Sequence, residues 1–249
     1  MHDGLGNLTN KKIVITGSTK GLGKALALNF LDKNATVVFN YSRDEYAANE
    51  IEKIVSKNSS YKFYCFNADV SDPKQVKMFE KQVYAAIGIP DILINNAGTA
   101  ESAHLLTMSF QKWKRVIDIN LNGVFNCTQI FGRKMIKINR GKIINIGSLT
   151  GEMGLGGNCN YSASKAGLIG LTRSSSKDLE SFNIQVNAVY PPSIPTELNQ
   201  RGAESSTLNI KYRNEENSSL SSFINFVTFM CTDDFHTVTG QIFSLNNNE

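Results

Sequence analysis

Apolar and polar positions follow two alternating regimes along the chain. Short β-branched runs bounded by Gly, Asn, Asp or Pro recur at 11–16, 36–41, 61–67, 91–94, 142–146, 184–190 and 241–245. Each reads as a buried strand. Between them lie longer segments with apolar residues three and four apart, which read as amphipathic helices. One opens after Gly17 and runs through Phe30 and Leu31, one spans 45–57, and one starts at Asp72-Pro73 with Val76, Phe79 and Val83 on its buried face. A long one is predicted over 109–138, one runs from Tyr161 onward, and the last covers 220–230.

Local signals fit these boundaries. Asp72 and Pro73 are an N-cap followed by a proline at the first helical position, and Gln75 completes a box-like pattern. Asn34 tolerates the left-handed conformation that stops a helix. Strands alternating with helices throughout predict an α/β fold of the Rossmann type, a doubly wound parallel sheet of about seven strands. The expectation is a single domain over 1–249, with a polar tract at about 197–217. In such a sheet ligands bind outside the carboxyl ends of the strands. The segments that follow strands, Thr16 to Gly23, Asp69, Asn95 to Gly98, Ser148 and Pro191 to Thr196, should therefore line one crevice.

Composition narrows the partners. The 249 residues carry a net charge of +4 with the basic residues scattered, so no block of Lys or Arg suggests nucleic acid. Cys65, Cys127, Cys159 and Cys231 match no metal-ligand spacing and read as reduced thiols. No apolar run approaches membrane-spanning length and no basic-plus-apolar leader opens the chain. A cytoplasmic protein with no metal and no membrane partner is expected.

Two stretches carry chemistry. In Thr16-Gly17-Ser18-Thr19-Lys20-Gly21-Leu22-Gly23 a glycine-rich turn joins the first strand to a helix, which suits a pyrophosphate: glycines let the backbone approach, and the helix N-terminus offers free N–H groups. The second strand ends in Asn40-Tyr41-Ser42-Arg43, with no acid before Asp44. An acid there would bind a ribose 2′-OH, whereas Arg43 and Lys20 could meet a 2′-phosphate, so the reading leans to NADP; Arg43 could equally be a plain surface arginine. In the other stretch Tyr161 and Lys165 lie four apart on one helix face, with Ser148 at the preceding strand end. A Tyr-x-x-x-Lys pair alone is usually an amphipathic pair. In this company the lysine would lower a phenol pKa of about 10, so that the phenol could exchange a proton with a substrate oxygen held by Ser148. Asn120, inside an apolar helix, needs partners if buried.

These motifs resemble the short-chain dehydrogenase/reductase family over nearly the whole chain: Thr16 to Gly23, Asn95-Asn96-Ala97-Gly98, Asn120, Ser148, and Tyr161-Ser-Ala-Ser-Lys165. The resemblance implies hydride transfer between a nicotinamide and a carbonyl or alcohol carbon. Tyr161 would be the proton donor or acceptor. Lys165 would depress its pKa and bind the nicotinamide ribose, Ser148 would hold the substrate oxygen, and Asn120 would anchor a relay water. Asp69 and Val70 would sit at the adenine, Asn96 with Ala97 and Gly98 near the adenosine ribose, and Pro191, Ile194 and Thr196 at the carboxamide end. Within the family the chain is most similar to bacterial 3-oxoacyl-[acyl-carrier-protein] reductases, through Asn40-Tyr41-Ser42, the segment from Gly157 to Ser174, and Asn187 to Pro191. That similarity implies NADPH, an acyl-carrier-protein-bound carbonyl substrate, and a homodimer or homotetramer. Pro192 stands where the family usually has glycine. Two other readings stay open: the same chemistry on a sugar or surface-glycan precursor, and a nucleotide-binding regulator without catalysis.

Overall fold

The computed structural model describes residues 7–192 and 212–245. Its strands are β1 (Lys12–Ile15), β2 (Thr36–Tyr41), β3 (Lys62–Asn67), β4 (Ile92–Asn95), β5 (Gly141–Ile146), β6 (Ile184–Tyr190) and β7 (Ile242–Ser244). All pair in parallel, in the order β3-β2-β1-β4-β5-β6-β7. The strand order reverses between β1 and β4, and the crevice outside their carboxyl ends is the ligand position in sheets of this kind.

The strands read as apolar runs because helices cover both faces of the sheet. Ile13, Ile15, Val37, Phe39, Ile92 and Ile94 point to one face, where they meet Leu26 and Phe30 of α1 (Gly21–Asp32). Phe223, Val227 and Met230 of the last helix, α8 (Tyr212–Cys231), complete that layer. Val14, Val38, Leu93, Ile143 and Val186 point to the other face. There Val76, Phe79 and Val83 of α3 (Pro73–Ile87) pack with Cys127, Phe131 and Met135 of α5 (Gly123–Met135), and the Phe79 and Phe131 rings meet edge to face at 5.7 Å. Helix α7 (Cys159–Leu179) lies along β6 and buries Leu168, Thr172 and Ser176.

The helix starts follow their caps. Asp72 accepts the Lys74 N–H at the head of α3, and Asp44 accepts the Ala47 N–H at 2.8 Å at the head of α2 (Glu45–Val55). Asn34 has φ +64° just beyond α1, as its identity predicts.

Three elements differ from the sequence reading. The helix predicted over 109–138 is divided into α4 (Phe110–Ile117), a wide π turn over Asp118–Asn122, α5, and a short 3₁₀ turn at Ile136–Ile138. The last helix begins at Tyr212 rather than 220; its first turns are polar, so periodicity alone could not mark them. A four-residue helix, α6 (Thr150–Met153), begins two residues after Ser148.

Candidate active site

The glycine turn is built by three side chains that sequence reading had assigned to the cofactor. Ser18 is fully buried; its Oγ donates to the Ile15 carbonyl and accepts the Asn40 N–H. Asn40, also buried, accepts the Gly17 N–H on Oδ1 at 3.2 Å and donates to the Ala68 carbonyl from Nδ2 at 3.1 Å. Asn96 donates from Nδ2 to the carbonyls of Thr16 and Gly17 at 3.0 and 2.9 Å. The Thr16 hydroxyl in turn accepts the N–H groups of Asn96 and Ala97, both at 3.0 Å. These groups hold the turn in shape.

The backbone left facing the crevice fits a dinucleotide. Gly17 has φ +61°, and a Cβ there would lie 2.8 Å from Cα of Ala97. A Cβ on Gly23 would lie 2.6 Å from the Gly17 carbonyl oxygen. Helix α1 starts without a side-chain cap and without an acid in its first turn, so its positive end is open to an anion.

At the adenosine end Lys20 is ion-paired with Asp44. Arg43 is exposed and lines a cleft of about 290 Å³ with Ser71, Gln111, Lys114, Arg115 and Asp118. Asp69 accepts the N–H and hydroxyl of Ser71 on one oxygen, which fixes the chain after β3. Val70 is buried against Gly123, where a Cβ would come within 2.7 Å of its Cγ2. The Ser42 carbonyl accepts the Asn67 amide, and Tyr41 is half-buried beside it. Pro191 and Pro192 follow β6, Pro192 buried; Ile194 and Thr196 lie outside the described residues.

Ser148, Tyr161, Lys165 and Asn120 converge. Ser148 follows Gly147, whose N–H bonds the Val189 carbonyl, and Ser148 Oγ accepts the Thr150 N–H at the start of α6. A Cβ on Gly151 would fall 2.6 Å from the backbone carbon of Lys165; this glycine lets α6 press against α7 and carries Ser148 toward Tyr161. Burial pushes the Tyr161 phenol pKa up, and the neighbouring Ser148 hydroxyl pulls against it to a smaller extent. Lys165 is buried, donates from Nζ to the Ile146 carbonyl at 2.8 Å, and stands 5.7 Å from the Tyr161 ring centroid. Burial lowers its own pKa to about 8. Burial is thus the larger influence on the phenol in this structure, and the Lys165 ammonium donates one hydrogen bond to a carbonyl.

Asn120 is fully buried in the π turn. Its Oδ1 accepts the Thr99 N–H at 2.8 Å, and its Nδ2 donates to the Thr99 carbonyl at 2.9 Å and to Ser164 Oγ at 3.1 Å. Ser164 then donates to the Tyr161 carbonyl at 2.7 Å. The amide thus ties the loop after β4 to the backbone of Tyr161, and it explains the break in the predicted helix: single π turns recur where a helix gives up regularity for a functional side chain.

Sequence reading missed Ser164, which carried a signal, since it lies three residues after Tyr161 on the same helix face. Asp44 was legible as the acid directly after Arg43 that weakens the lean to NADP, but its pairing with Lys20 was not. A buried amide chain was also missed: Asn95 donates to Asn145 at 2.8 Å and to Thr128 at 3.1 Å, and Asn145 donates to Thr172 at 2.9 Å, linking β4 and β5 to α5 and α7 behind the site.

A parallel doubly wound sheet, a glycine turn over an open helix end, and a Ser-Tyr-Lys cluster at the strand ends define a nicotinamide-dependent oxidoreductase acting on carbonyl or hydroxyl groups. The chain belongs to the short-chain dehydrogenase family, whose pattern it matches over residues 11–206. It is 35% identical over 245 residues to the 3-oxoacyl-[acyl-carrier-protein] reductase FabG of Staphylococcus epidermidis, covering 95% of this chain and 98% of that one. To the FabG of Aquifex aeolicus it is 34% identical over 245 residues, covering 96% and 97%. To a 3-oxoacyl-[acyl-carrier-protein] reductase of Synechocystis it is 38% identical over 193 residues, 78% of each chain. Among the described residues no helix is long and apolar enough to cross a membrane.

Proposed function

We propose that the chain reduces a 3-oxoacyl thioester on an acyl carrier protein to the 3-hydroxyacyl form, with NADPH as the hydride source. The observation that carries this reading is the placement of Ser148 beside the Tyr161 phenol with buried Lys165 behind them, in a chain similar over most of its length to reductases named for that reaction. A dinucleotide whose pyrophosphate lies against the glycine turn would supply the hydride from its nicotinamide. Ser148 Oγ would hold the carbonyl oxygen and donate to it as negative charge develops there. The Tyr161 phenol, whose pKa burial keeps high, enters the step protonated and gives its proton to that oxygen. Lys165 keeps N–H donors beyond the one bonded to Ile146, which suits a ribose hydroxyl, and its charge favours the phenolate left behind. Asn120 is a positioning residue: through Thr99 and Ser164 it fixes the backbone from which Tyr161 projects.

The lean to NADPH rests on exposed Arg43 and the cationic cleft beside it. We further infer a homodimer at least, since apolar side chains on α4, α5 and the loop before α4 are exposed.

The test is steady-state oxidation of NADPH with a 3-oxoacyl thioester. Turnover is expected in the unmodified protein, with a fall of roughly 10²–10⁴-fold in Tyr161→Phe while NADPH binding is little changed. Turnover on other ketones but none on thioesters would move the substrate reading to another alcohol or sugar, and near-wild-type turnover in Tyr161→Phe would remove the tyrosine from its role.

A further inference from the structure

We propose that Tyr190 is a positioning residue for the reduction: its ring is the wall against which Gly147 rests, and it thereby fixes where Ser148 stands beside the Tyr161 phenol. This rests on the reading that Ser148 holds the carbonyl oxygen, and it deepens that reading by naming the side chain on which the place of the serine depends.

Ser148 lies between two glycines, Gly147 just beyond β5 and Gly151 in α6. Glycine restricts its own backbone least, so a serine carried this way needs walls supplied by its surroundings. The peptide between Ile146 and Gly147 is pinned on both sides: its carbonyl accepts Lys165 Nζ at 2.8 Å, and its N–H donates to the Val189 carbonyl at 2.9 Å. These bonds fix that peptide but not the direction in which the chain leaves Gly147. At Gly151 the wall is backbone, since a Cβ there would fall 2.6 Å from the Lys165 carbonyl carbon. At Gly147 the wall is one side chain. A Cβ on Gly147 would lie 2.4 Å from Cε1 and 2.5 Å from Cδ1 of Tyr190, so the ring lies directly against the glycine. Tyr190 is suited to act as a fixed surface. It ends β6, is 1% exposed, and precedes Pro191, which confines it to extended backbone. The atoms in contact are ring carbons; the hydroxyl is buried with no hydrogen-bond partner among the described residues.

The test is a double-mutant cycle on the full chain with Tyr190→Leu and Ser148→Ala. Turnover is read on a 3-oxoacyl thioester or on whichever ketone the protein reduces, and NADPH binding is followed by fluorescence. Tyr190→Leu should lower kcat by about ten- to a hundredfold, the effect of a small misplacement, with the NADPH dissociation constant changed by less than about twofold. Tyr190→Phe keeps the ring and should recover most of that turnover. In Ser148→Ala the same Tyr190→Leu change should lower kcat by less than about twofold, because the group it positions is gone. A general loss of packing would lower kcat equally in both backgrounds. Where Tyr190→Leu does not fold, Gly147→Ala carries the test from the other side of the contact: its methyl displaces the serine against an intact ring, and its effect on kcat should likewise vanish in Ser148→Ala. An unchanged kcat in Tyr190→Leu overturns the proposal, and so does an equal factor with and without Ser148. Unchanged turnover in Ser148→Ala removes the serine from its role and this proposal with it. A loss in Ser148→Ala that simply multiplies with the loss in Tyr190→Leu defeats this proposal and leaves the reading of Ser148 standing.

Discussion

Lys165 and Tyr161 illustrate what the residue scale can decide. Their spacing, and the place of Ser148 at a strand end, could be read from the sequence, because spacing and periodicity set which side chains share a face. The direction of the Tyr161 shift could not. It depends on how deeply the phenol is buried and on where the ammonium spends its hydrogen bond, and both are products of packing between α6, α7 and β5. The buried lysine also makes stability depend on pH. Its pKa is about 8 in the folded chain against an ordinary 10.5. Between those values the unfolded chain binds more protons, so this residue's contribution to stability rises with pH across that window and is flat below about 8. The thiols of half-buried Cys65 and buried Cys127 and Cys231, pushed up to about 12, act in the opposite sense above 9, so the comparison must be with a variant and not with pH alone. Urea midpoints of the unmodified protein and Lys165→Met, measured from pH 7 to 10, should diverge by up to about 3 kcal/mol in favour of the former as pH rises. Parallel curves would show that Lys165 titrates normally.

At the scale of elements, the glycine turn and the divided helix teach opposite lessons. The turn was legible: a strand, glycines and a helix in that order have few structural meanings. What the sequence did not disclose is that Asn40, Ser18 and Asn96 serve as internal braces, since a polar side chain near a site looks the same whether it faces the ligand or the protein. The π turn was illegible for a related reason. Nothing in the apolar periodicity of 109–138 records that the Asn120 amide must reach both Thr99 and Ser164. The bracing makes a prediction about Gly23. A methyl there would meet Asn96 Nδ2 at 2.4 Å and the Gly17 carbonyl oxygen at 2.6 Å, the latter on backbone that cannot swing away. Gly23→Ala should therefore cost about 1–3 kcal/mol in urea unfolding and weaken dinucleotide binding with it. Gly21→Ala is the contrasting variant: a methyl there meets nothing within 4 Å, and only its φ of +51° opposes the change, by about 1–2 kcal/mol. Equal losses at both positions would mean that backbone strain, and not the packing of α1 on Asn96, governs this turn.

Among the described residues, apolar side chains remain exposed on the helices. Phe131 and Leu168 are in the core, but Phe125 on α5 remains 48% exposed, and Leu106 and Phe110 at the approach to α4 are 96% and 72% exposed. Such a surface favours a symmetric partner. Sedimentation velocity across a wide concentration range should find a dimer or tetramer, with dissociation of the tetramer on dilution; a monomer throughout would refute the assembly. The order of the sheet has a separate consequence, for how the chain is made. The strand nearest the start of the sequence is one of the central ones. β2 and β3 then join it on one side, and β4 through β7 on the other, each beside the strand last added on that flank. No strand ever has to be inserted between two already paired, so a polypeptide emerging from the ribosome can lay down this sheet outward from its first hydrogen-bonded ladder, with the cofactor turn and the Asn96 that braces it made before Tyr161 has been synthesised.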